Sequence, residues 1–248
     1  MREGGFRPVS QVMGSCFYHV GWQALPGAYA WTPAAEGSFT ELETQTEAWN
    51  EARRLALGRL AEEAQLAGAD AVVGVRLEHG EYDWAARLLE FVAVGTAVES
   101  ERHDLGDETS ISNLSGQEFA ALYRHGYLPV GLVATTCVLY VFSGWDQLQL
   151  TRSWGSTYRN AEYRDFSYGM YEARRIAMQR IERHAHELGA HGIVGVRFEH
   201  EIREREIDRN GASCVDAVVT VHVIGTAIAE YPLEGEDPPV FVALRVNG

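Results

Sequence analysis

Apolar residues recur along this chain with a helical period in two places and with strand-like density between them. Ala52, Leu55, Ala56, Leu60 and Ala64 form one stripe at helical spacing. Ala173, Ile176, Ala177, Ile181, Ala185 and Leu188 form a second. The stripes predict helices over about 46–67 and 167–188. Gly68 and Gly189 stand just past them, where a left-handed residue ends a helix. The β-branched runs that follow, AVVGVRLEH and GIVGVRFEH, predict strands, and LLEFVAVGTAVE and DAVVTVHVIGTAIAE predict their partners. Asn210-Gly211 marks a hairpin between the later two; residues 80–87 connect the earlier pair.

The two patterns are copies. At an offset of 121, residues 51–79 and 172–200 agree at 15 of 29 positions, which identifies a tandem duplication. The offset reaches back to the start: Pro8, Val9, Val12 and Cys16 match Pro129, Val130, Val133 and Cys137, each set in an apolar run read as a strand. Each unit reads strand, strand or loop, helix, strand, strand. That is an α+β fold of two tandem repeats, each one long helix on a small antiparallel sheet. The polar stretch 100–113 reads as a linker, giving repeats over 1–113 and 114–248. Ser115 reads as the N-cap of a short helix, QEFAALYRH, that Gly126 stops. Val240–Val246 reads as one more strand in the tail.

Composition narrows the function classes. The net charge is −14, which repels phosphate backbones and anionic membrane surfaces, so neither nucleic acid nor membrane is an expected partner. Every basic residue is arginine, which excludes lysine Schiff-base chemistry and a Walker A lysine. Three widely spaced cysteines without CxxC spacing argue against a disulfide scaffold or zinc ribbon. No apolar signal core opens the sequence, so the expected compartment is the cytoplasm. No HExxH, GxGxxG or GxSxG orders the polar residues, so no catalytic residue is assigned.

The segments Glu51–Arg54, Gly68–Val75 and Gly95–Ala97, with Glu172–Arg175, Gly189–Val196 and Gly225–Ala227, resemble the YbjQ-like family, labelled a heavy-metal-binding domain. His191-Gly192 departs from Asp70-Ala71 of the first copy. The resemblance implies a small α+β domain that assembles into rings, of five in single-domain relatives, with no established reaction. A chain with two units then forms two stacked rings of five from five chains, or a pseudo-sixfold ring from three.

A duplicated chain puts residues present in both copies first. Glu78-His79 and Glu199-His200 end matched strands and are competent ligands for a divalent transition metal, the one cofactor considered. Adjacent strand residues face opposite sides, so they read equally as solvent-edge residues. Cys16 and Cys137 read as buried small hydrophobes rather than soft ligands. His184, His186, Glu187 and His191 read as a polar helix end, or as a metal site of the second copy alone. Gly74, Gly195, Gly95 and Gly225 lie inside strands, which predicts a bulge or close backbone approach. Arg59 and Arg180 interrupt the apolar stripes at matched places; each reads as an interface ion pair or as a packed stem reaching water.

The expectation is a non-enzymatic homo-oligomer that forms a ring and binds a metal ion or small ligand. The alternative is a scaffold presenting a surface, with Trp22, Trp31, Trp145 and Trp154 as its aromatic candidates, to a protein partner.

Overall fold

In the computed structural model, residues 5–23, 25, 38–82, 88–101, 109–144, 162–209 and 212–230 are described. The Asn210-Gly211 turn, the 83–87 connection, the 240–246 tail, Trp31, Trp145 and Trp154 lie outside them. Among the described residues, eight strands and three helices run in the order β1 (Phe6–His19), β2 (Phe39–Glu41), α1 (Glu43–Leu66), β3 (Ala71–Tyr82), β4 (Leu88–Ser100), β5 (Ser110–Ile111), α2 (Gly116–Arg124), β6 (Tyr127–Val141), α3 (Arg164–Glu187), β7 (Gly192–Arg209) and β8 (Ala212–Glu230).

Two four-stranded sheets result, ordered β1-β4-β3-β5 and β2-β6-β8-β7. Their three-stranded cores correspond, and the α+β repeat read from the sequence is the fold. Both long helices begin three residues earlier than predicted, at Glu43 and Arg164 rather than 46 and 167, because the residues ahead of each stripe carry no apolar period. Small residues let each helix lie close to its sheet. Ala52, Ala56, Leu60 and Ala64 are fully buried on α1, as are Ala173 and Ala177 on α3, with Ile181 1% exposed.

The glycines within strands separate into two roles. Gly74 and Gly195 have φ of 65° and 62° and sit where the β3–β4 and β7–β8 registers shift, so each makes a bulge. At Gly95 and Gly225 a Cβ would come within 2.5 Å of Val72 and 2.7 Å of Ile193, which is close side-chain approach.

The outer strands interlock the copies. β2, from the first copy, pairs antiparallel with β6 of the second. β5, within the polar stretch read as linker, pairs parallel with β3. Ser115 caps α2 through a capping box with Glu118, an arrangement worth roughly 1 kcal/mol. α2 buries Phe119 and Tyr123 against Phe6 of the first sheet. One core joins the first sheet, α1, and Val138, Tyr140, Phe142 and Val218 of the second sheet; another lies between α3 and the opposite face of that second sheet. α1 is thus packed on both sides, by its own sheet and by that of the other copy.

Gly14 marks how closely α1 approaches β1: a Cβ there would meet the Ala56 carbonyl oxygen at 2.0 Å. A Cβ on Gly74 meets nothing within 4 Å. Gly74→Ala is therefore expected to cost about 1–2 kcal/mol, from its left-handed backbone alone. Gly14→Ala forces backbone against backbone and is expected to cost more, about 3 kcal/mol or above. Urea denaturation of both variants checks the order; equal losses would contradict the packing described.

Candidate functional site

The edge of β6 is closed by the start of α1. Every second residue of a strand directs its N–H and C=O outward, and unpaired groups there invite other chains. Here Leu42 N–H donates to the Val138 carbonyl at 2.9 Å, and Val138 N–H donates to the Thr46 hydroxyl at 3.0 Å. Thr136 N–H donates to Asn50 Oδ1 at 2.9 Å, and Asn50 Nδ2 returns a bond to the Thr136 carbonyl at 3.0 Å. Arg53 completes the row. Its guanidinium donates to the Thr136 hydroxyl at 2.8 Å, to the Ala134 carbonyl at 3.1 Å and to Asn50 Oδ1.

Thr46, Trp49, Asn50 and Arg53 follow one another at i, i+3, i+4 and i+7, a single face of α1. Arg53 is 5% exposed, and the bonds given above are to neutral oxygens rather than a carboxylate. Burial presses its guanidinium down to about 9, which leaves it charged at neutral pH.

Next to this row, a cavity of about 200 Å³ opens between the copies. His79 comes from β3, Glu199 from β7, His222 from β8 and Arg53 from α1; Arg76 and Arg197 also line it. The His79 and His222 rings lie 4.3 Å apart between centroids, and Trp49 meets both edge-on. His79 Nε2 is 3.6 Å from Glu199 Oε2. Burial, then His79, then Arg53 push the His222 imidazole down to about 3, so it is neutral at pH 7. The Thr136 hydroxyl, which accepts from Arg53, also shares a hydrogen bond with His222 Nδ1, 2.9 Å away. His222 Nε2 is buried and has no hydrogen-bond partner among the described residues.

Of the four residues nominated as ligands, His79 and Glu199 meet across the copies and Glu78 lines the same cavity, whereas His200 is not among its lining residues. The donor set does not fit a resident metal. Among the described residues no three His, Cys, Asp or Glu are placed to share an ion. The two imidazoles, tilted by 33°, come with one nearby carboxylate oxygen from Glu199 at 3.6 Å from His79, and three arginines line the cavity. Cys16 and Cys137 are buried free thiols, and burial pushes the Cys137 thiol up to about 12. His184, His186, Glu187 and His191 are exposed.

Arg180 reaches across the copies to Glu41 in a bidentate pair, 2.7 and 2.8 Å, with side chains 31% and 22% exposed. Arg59 stays within its own copy and donates to the Ser15 carbonyl. Arg53 and His222 were not among the nominated residues. Arg53 had a visible signal, since Arg174 matches it in the second copy; His222 had none, because Val92 stands at its counterpart.

A family described as "Putative heavy-metal-binding" (YbjQ) matches residues 37–101 and 149–230. An encapsulin nanocompartment protein of Mycobacterium tuberculosis is 38% identical over 205 residues, covering 80% of this chain and 72% of that protein. UPF0145 proteins of Clostridium perfringens and Halalkalibacterium halodurans are 45% and 42% identical over 58 and 62 residues, covering 23% and 25% of this chain and 53% and 57% of their own lengths.

Two outcomes test the junction. His222 binds no proton in the folded chain between about pH 6.5 and 3, while the unfolded chain does. Stability is therefore unaffected above the unfolded value and falls as pH drops below it, by up to about 1.4 kcal/mol per pH unit. His222→Gln is expected to flatten that part of the acid-denaturation profile; an unchanged slope contradicts the assignment. Arg53→Ala removes the guanidinium's bonds to the Ala134 carbonyl, Thr136 hydroxyl and Asn50 and leaves a buried void, and is expected to lower stability by about 2–4 kcal/mol in chemical denaturation. A loss below about 1 kcal/mol would show that Arg53 does not hold the junction.

Proposed function

The chain belongs to the YbjQ-like family twice over, and from that premise we propose that it is a non-enzymatic, self-assembling protein whose repeat units join end to end into a ring. The observation that carries this reading is the contact between its two copies. Unlike surfaces meet there, a helix start against a sheet edge, so each unit has one surface of each kind. A contact of that type is heterologous and generates rings or filaments when repeated. The relative named as an encapsulin nanocompartment protein supports a structural role in, or alongside, an assembled protein compartment, with protein rather than nucleic acid as partner. Among the described residues no helix is long and apolar enough to cross a membrane.

A second reading concerns the cavity. Three arginines, Arg53, Arg76 and Arg197, line it against two carboxylates, Glu78 and Glu199, and this balance favours a small oxygen-bearing anion over a cation. Titration of small carboxylates and phosphate, followed by the His222 side-chain resonances, separates this from an empty structural cavity.

Self-assembly predicts a mass well above the single-chain 27.5 kDa by light scattering or native mass spectrometry at micromolar concentration. A single-chain mass throughout that range would refute it.

A further inference from the structure

We infer that the start of α3 in one chain closes the outer edge of β1 in a second copy, repeating between chains the contact that α1 makes with β6 inside the chain. The inference rests on the self-assembly reading and names its contact surface.

The offset of 121 carries the internal contact onto the chain's two ends. On the helix side, Leu42, Thr46 and Arg53 become Tyr163, Ser167 and Arg174. The helix starts correspond, with flanking φ and ψ of −87° and 79° at Leu42 and −81° and 82° at Tyr163. On the strand side, Ala134, Thr136 and Val138 become Met13, Ser15 and Phe17.

The chemistry survives the transfer. Ser167 keeps the hydroxyl acceptor, Arg174 the guanidinium, and Ser15 the hydroxyl that Arg53 uses on Thr136. The ion pair between Arg180 and Glu41 becomes one between Arg59 and Glu162 of the incoming chain. Arg59 already lies at that edge, on the Ser15 carbonyl. One position departs: Asn50, which bonds Thr136 twice, becomes Tyr171.

Burial shows which contact is complete. Leu42 and Val138 are 0% exposed, while their counterparts Tyr163 and Phe17 are 43% and 58% exposed. Arg53 is buried, whereas Arg174 is exposed and rests over the Phe198 ring, 4.9 Å from its centroid. Among the described residues, β1 is an edge strand of its sheet, while β6 has β2 beside it. One end of the chain thus carries a strand edge with exposed Met13 and Phe17, touched by Glu63 at the Met13 N–H and by Arg59 at the Ser15 carbonyl, and the other an aromatic helix start with a carboxylate at Glu162.

The geometry also decides between two ring plans. The copies of one chain are consecutive units of one circle, so a ring of whole chains holds an even number of units. Two stacked five-unit rings would need α1 on a first-copy sheet edge, but α1 already occupies β6.

Paired face variants test this. Met13→Arg blocks the strand face and Arg174→Glu the helix face; both residues are exposed, and circular dichroism checks that each variant folds. The wild-type chain is expected to assemble, and each variant alone to run as a single chain, with association weakened at least tenfold. An equal mixture of the two is expected to form a one-to-one pair and nothing larger, because one intact face of each kind remains. If the wild type assembles but both variants keep its mass, this contact is overturned and self-assembly stands. If the variants are single chains and their mixture stays so, the head-to-tail pairing is overturned. A single-chain wild type overturns both readings.

Discussion

A sheet edge buried without partners for its backbone is costly, and this fold has to bury the edge of β6. The solution is a row of side chains from α1 rather than another full strand. Thr46, Asn50 and Arg53 bond to alternate residues of β6, and β2 pairs with the strand just beyond them. The row ends on a buried arginine whose charge is met by neutral oxygens, an arrangement that works only while all its acceptors stay in place. The placement of the second sheet against α1, the cavity beside it and the ion pair of Arg180 with Glu41 all follow from that contact.

The duplication divides the chain's residues into two classes. Arg53 and Arg174, like Arg59 and Arg180, occur in both copies and suit a contact used more than once. His222 and Trp49 occur in one copy, with Val92 and Met170 opposite them, so the cavity with two imidazoles belongs to the internal contact alone. The internal contact therefore combines residues the copies share, such as Arg53 and His79, with two they do not, His222 and Trp49.

Much of the fold was legible because α1 and α3 pack small residues at helical spacing and because Gly74 and Gly195 keep their places at the bulges. The interlock was not. β2 has only three residues, too few for a period, and Ser110–Ile111 lies in a stretch whose polarity reads as a connection. The second face of α1 escaped notice because it is polar: Thr46, Asn50 and Arg53 bury hydrogen bonds rather than apolar area, and apolar periodicity does not register them. His79 and Glu199 were legible as residue types, but their meeting depends on how the copies pack. Arg59 and Arg180 stand out because they match between the copies, and His222 does not because Val92 stands opposite it.

The central claim is that side chains of α1 close the β6 edge as firmly as a strand would. Amide hydrogen exchange at Thr136 and Val138 measures this directly, since their N–H groups donate to Asn50 and Thr46 side chains rather than to a backbone carbonyl. The account predicts exchange as slow as that of the central strand β8, occurring only through global unfolding. Exchange at these two amides as fast as at a solvent-facing edge would contradict it.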